Sequence, residues 1–155
     1  MSMHDFVPLI PDYLDVFFGR ASVEQGLPLE EAIPRDQLDF SLDSLQLLDT
    51  YLEQVVPLYE TLPNQQVINL ALAAGVYLGE VIRRNARRRY TWLNYAQYFD
   101  AHPDSKGVFP YCPGTTALLA SDAGAMTLPI NKILRFLDEG PENTTHSYAS
   151  IEGKQ

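Results

Sequence analysis

The chain has 155 residues, 46% of them hydrophobic and 20% charged, with a formal net charge of −9. That length and composition suit one domain able to bury its own core, and they exclude a disordered chain. The acidic balance repels phosphate backbones and anionic lipid surfaces, so neither general nucleic-acid binding nor membrane binding is expected.

In chain order, Pro11 opens a short predicted helix in which Leu14, Phe17 and Phe18 share a face and Gly19 stops the run. Residues 21–37 contain Gly26, Pro28 and Pro34 and read as a connection, with about one turn of helix near 29–33. Ser41 stands where a helix cap is needed. Leu45, Leu48, Leu52 and Val55 then follow at spacings of 3, 4 and 3, the apolar stripe of an amphipathic helix that Pro57 ends or kinks.

Pro63 and Asn64 introduce the longest predicted helix, over 65–86. Leu70, Ala74, Tyr77 and Val81 form one row, and Ala71, Gly75 and Gly79 form a bare stripe at i+4 spacing. Each helical glycine costs about 1 kcal/mol relative to alanine. A backbone pressed against the stripe would offset that loss, either from the same chain or from a second copy across a homodimer seam.

Beyond Arg89 the period changes. Residues 90–95 are rich in β-formers and predict a strand, and 102–114 read as a loop. Residues 115–120 and 125–128 flank Ser121-Asp122-Ala123-Gly124 and predict a β-hairpin. Pro129 opens a last helix carrying Ile130, Ile133, Leu134 and Leu137, closed by Gly140-Pro141. Asp138 and Glu139 sit at its acid-unfavourable end. The expected architecture is α+β, with N-terminal helices on a small antiparallel sheet and a closing helix. It forms a single domain over 1–148, and 149–155 read as a flexible tail.

Five of the 11 basic residues, Arg83, Arg84, Arg87, Arg88 and Arg89, fall within seven positions. Glu80 and Arg84 are spaced for a helix ion pair, and Arg83, Arg84 and Arg87 are expected on one face. The cluster has two readings: cations capping a helix C-terminus, or an anion or acidic-partner site built from guanidinium forks. Seven of the 17 aromatic residues lie between 90 and 111, enough to cover a helix or to line a pocket. Strand alternation would send Tyr90 and Trp92 to one face and Tyr95 to the other.

Cys112 is the only cysteine, so no internal disulfide can form. With His102, Asp100 or Asp104 it offers a thiol, a base and an acid, but no nucleophile motif surrounds it, and an inert thiol is expected. His4, His102 and His146 lack ligand spacing, so no metal and no cofactor is expected. Asn143-Thr144-Thr145 matches a glycosylation sequon. Residues 1–12 show no basic stretch before an apolar run, and 67–82 is short for a bilayer, so a cytoplasmic chain is expected.

Three segments carry a resemblance: 41–45 opening a helix, 77–84 leading to Trp92, and 129–133 running to Gly140. Over roughly 40–148 the set resembles small uncharacterised bacterial proteins grouped as domains of unknown function. The resemblance implies a bacterial origin and a shared fold, and transfers no activity. The function expected from charge and the lack of a catalytic motif is non-enzymatic binding of another protein, a basic one being one candidate, as in an immunity-type protein. The alternative is an anionic small-molecule binder or enzyme with its pocket between the aromatic sheet and the long helix. Arg83, Arg84, Tyr95 and Tyr98 would line that pocket, with Arg87 and Arg88 nearby.

Overall fold

The computed structural model describes residues 5–142 and 144–153, so His4 and the sequon's Asn143 lie outside the described residues. The fold is α+β, as expected. Its helices are α1 (Ile10–Phe17), α2 (Ser44–Val55), α3 (Asn64–Asn85), α4 (Tyr95–Phe99), α5 (Pro103–Val108), α6 (Pro129–Glu139) and α7 (Thr145–Gly153). Its strands are β1 (Tyr90–Asn94), β2 (Ala117–Ser121) and β3 (Met126–Thr127). They form an antiparallel sheet in the order β1-β2-β3.

The centre is α3, buried continuously from Asn69 to Ile82. At 22 residues it is long and apolar enough to cross a bilayer, longer than the 67–82 run suggests, yet 83% of its apolar 18-residue stretch is buried inside this fold. The bare stripe is what lets it sit there. A Cβ on Gly75 would lie 2.6 Å from the Ile130 backbone, and one on Gly79 would collide with the Trp92 ring. Gly75 is thus covered by the chain's own α6 and Gly79 by β1 and α6, while Ala71 is fully buried, so the stripe is packed within this chain.

Leu45, Leu48, Leu52 and Val55 of α2 are at most 1% exposed. Burial of such side chains stabilises by roughly 1.5–3 kcal/mol apiece. α2 begins three residues later than Ser41, but the Ser41 hydroxyl still accepts from the Ser44 N–H at 3.1 Å. After Val55 the chain tightens into a 3₁₀ turn through Pro57.

The sheet separates two apolar clusters. Tyr90, Trp92, Ala117 and Leu119 face α3, while Leu93, Leu118, Ala120 and Met126 face a smaller cluster with Tyr95, Phe99, Phe109 and Tyr111. Four expectations are corrected here. The strand stops at Asn94, because the Gln97 carboxamide accepts from the Asn94 N–H at 2.7 Å and turns the chain into α4. Tyr95 therefore reaches the far side of the sheet from a helix rather than by strand alternation. The 102–114 loop contains α5 and a 3₁₀ turn at Pro113–Thr115. The expected boundary at 148 falls inside α7, whose Ala149 is fully buried.

α7 is held from a distance. Asp49 on α2, 6% exposed, accepts from the Thr145 N–H (2.7 Å), the Thr145 hydroxyl (2.6 Å) and the His146 N–H (3.1 Å). A carboxylate at a helix N-terminus satisfies orphan amides and meets the positive end of the dipole.

Candidate functional site

The C-terminal end of α3 gathers the charged residues. Glu80, 6% exposed, is gripped by Arg83 through two bonds, Nε at 2.7 Å and Nη2 at 3.0 Å. Arg84 Nη2 adds a contact at 3.4 Å, and the Trp92 indole N–H donates at 2.9 Å. Burial alone would push the Glu80 carboxyl up. The Arg83 and Trp92 hydrogen bonds and both guanidinium charges outweigh it, so the group sits below the ordinary glutamate value. A carboxylate so loaded with donors is a tie between α3 and β1, poorly suited to accept a substrate proton.

Arg84 also stacks on Phe40, 3.7 Å from the ring centroid, in cation–π geometry. Phe40 has a left-handed backbone (φ +64°). Its N–H donates to the Tyr77 hydroxyl at 3.1 Å, and its carbonyl accepts from Asn85 at 2.8 Å. Tyr77 in turn meets Ser44 Oγ at 2.6 Å and packs against Phe17, Phe18 and Phe40. Phe40 is missing from the sequence-based site because nothing local marks it; its conformation is held by α3 residues about 40 positions away.

The remaining arginines behave differently. Helix α3 ends at Asn85 and Ala86 is extended, so Arg87 does not share a helical face with Arg83 and Arg84. Arg87, Arg88 and Arg89 lie exposed in the segment leading to β1. Among the described residues their side chains make no ion pair. By contrast Arg20, Arg35, Arg83, Arg84 and Arg135 each stand 2.7–3.5 Å from a carboxylate.

Among the described residues Arg83 and Tyr95 line separate clefts rather than the one pocket expected to join Arg83, Arg84, Tyr95 and Tyr98. Arg83 lines a cleft of about 550 Å³ with Arg89, Tyr90, Thr91 and Trp92. Tyr95 lines a separate cleft of about 480 Å³ with Asp100, Lys106 and Tyr111. Trp92 packs on the α3 side of the sheet and Tyr95 on the other, which keeps the two groups apart. The Tyr95 hydroxyl donates to the Phe109 carbonyl at 2.8 Å, and the Tyr98 ring stacks on His102 at 4.1 Å.

His102 Nδ1 meets the Tyr98 carbonyl at 2.8 Å, Asp100 is paired with Lys106 at 2.7 Å, and the Thr115 hydroxyl lies beside Cys112 Sγ. The thiol and imidazole therefore hold other partners. Among the described residues no cluster of three His, Cys, Asp or Glu side chains is arranged to hold a metal ion. Against family models, curated proteins and solved structures, the chain finds no match, so the motif resemblance gains no support from them.

Proposed function

We propose that this chain is a non-enzymatic recognition module that docks an acidic segment of another protein on Arg87, Arg88 and Arg89. One observation carries the reading. In a chain with 20 acidic and 11 basic residues, three adjacent guanidiniums stay exposed and without an ion pair among the described residues, while five other arginines are paired. Like charges in sequence repel, and a partner's carboxylates would relieve that repulsion through forked, charge-assisted hydrogen bonds. Arg83 and Arg84, tied to Glu80, would brace the strip rather than bind.

A second reading has its own support. Residues 21–63 hold nine acids against Arg35 alone, which suits a basic partner such as the toxin of an immunity-type pair. Charge reversal separates the two. Capture from the source organism's native lysate, at roughly 0.05 M and 0.3 M salt, is to be compared for wild type, Arg87→Glu/Arg88→Glu/Arg89→Glu, and Asp36→Lys/Asp39→Lys/Asp43→Lys. The leading reading expects a salt-sensitive partner lost only with the arginine variant. Loss only with the aspartate variant transfers the function to the acidic face, and capture unaltered by either refutes both.

A further inference from the structure

Lys132 on α6 stands apart among the described cations, with Asp49 and Glu139 acting on it only from a distance. It is 8% exposed, and its ammonium makes no hydrogen bond or salt bridge among the described residues; its one polar contact is with the Tyr148 ring, 5.6 Å from the centroid. Among the described residues no side-chain nitrogen is both fully enclosed and unpaired. The ammonium must therefore touch open space, and Lys132 lines a cavity of about 210 Å³. The ammonium thus keeps access to water, while a charge on so largely enclosed a side chain is ordinarily paired as well.

The rest of the cavity says what such a counter-ion would look like. Arg135, one turn further along α6, stands at the same cavity as a second cation, and the acid it meets among the described residues, Glu139, is 3.5 Å away on the exposed surface. Asn131 and the hydroxyls of Thr127 and Tyr148, which bond to each other, supply neutral polar atoms. Phe109, Met126 and Leu128 form an apolar wall. Among the described residues no carboxylate lines the cavity. Two cations, neutral donors and an apolar wall in a small volume match a compact anion with a hydrocarbon end.

We propose that this cavity binds a small monocarboxylate with an apolar tail, its carboxylate on Lys132 and its tail against Phe109, Met126 and Leu128. A carboxylate there gives the ammonium the close partner it lacks among the described residues and takes a second contact from Arg135. A fully hydrophilic anion such as phosphate would leave the apolar wall unused and would itself be desolvated against it. The site shares no residue with the arginine strip, so it stands or falls independently of the proposed protein docking.

The test is thermal stabilisation and calorimetric titration with benzoate, butyrate, inorganic phosphate and the neutral benzamide. Wild type, Lys132→Met and Arg135→Gln are compared, with circular dichroism confirming that each variant is folded. Lys132→Met keeps the volume and removes the charge; Arg135→Gln changes an exposed residue and serves if the first variant misfolds. The expected result is saturable binding of benzoate or butyrate, weakened at least about tenfold in Lys132→Met and severalfold in Arg135→Gln. Absence of carboxylate binding to wild type, equal binding of benzamide, phosphate binding as tight as the carboxylates, or unchanged affinity in the folded variants would each overturn the proposal.

Discussion

At Glu80 four hydrogen-bond donor contacts converge on one buried carboxylate, and the energetics of that convergence can be read in its titration. Because the folded group is held below its ordinary value, it contributes stability that is complete above about pH 4.5 and is lost as pH falls through the lower folded value. Glu80→Gln keeps the shape and removes the charge. It is expected to cost about 1–3 kcal/mol at neutral pH and to flatten the acid limb of the stability profile. Urea unfolding between pH 3 and 7 checks this; a variant with an unaltered acid limb would show that the carboxylate does not tie β1 to α3. The pairs from Glu80 to Arg83 and Arg84 are legible in sequence, being three and four residues apart on a helix. The bond from Trp92 is not, because it depends on how β1 lies across α3, and neither is the Phe40 conformation, fixed by Tyr77 and Asn85 from afar.

Among the elements, α3, α6 and the hairpin are legible because each announces itself locally, by apolar period, by Pro and Gly punctuation, or by a turn sequence. The glycine stripe also carries its meaning in sequence, and the structure decides between its two coverings. Gly75→Ala tests that packing. Alanine gains about 1 kcal/mol of helix propensity, but its Cβ would lie 2.6 Å from the Ile130 backbone, and overpacking of that kind costs typically 1–3 kcal/mol. The expected net result is a lower melting temperature, and a variant as stable as wild type would mean α6 does not press on α3. The short α4 escaped the sequence because Tyr-rich stretches favour strands, whereas the Asn94–Gln97 cap acts over three residues. The polar α7 has no apolar period to detect, since its N-terminus is satisfied by Asp49, 96 positions earlier than Thr145. Asp49→Ala should therefore release α7 selectively. Hydrogen exchange is expected to rise across Thr145–Gly153, with a global loss of about 1–3 kcal/mol, while α3 stays protected; unchanged exchange in α7 would contradict the cap.

On the scale of the whole molecule, charge is distributed unevenly over a well-packed fold. The core is built by α3 and the elements folded around it, and it leaves no bonded Cys–His pair among the described residues and no joint pocket for Arg83 and Tyr95. What the surface offers instead is an acid-rich stretch at 21–63 and a strip of three guanidiniums with no carboxylate partner among the described residues. Electrostatic docking of this kind gives association that weakens steeply as salt screens the charges. The direct measurement is fluorescence anisotropy of a labelled peptide of about ten glutamates titrated with the protein across a salt series. The account predicts saturable binding at low salt that fades as salt rises and is abolished in Arg87→Glu/Arg88→Glu/Arg89→Glu at unchanged melting temperature. Absence of binding at low salt, or equal binding by the charge-reversed variant, would contradict it.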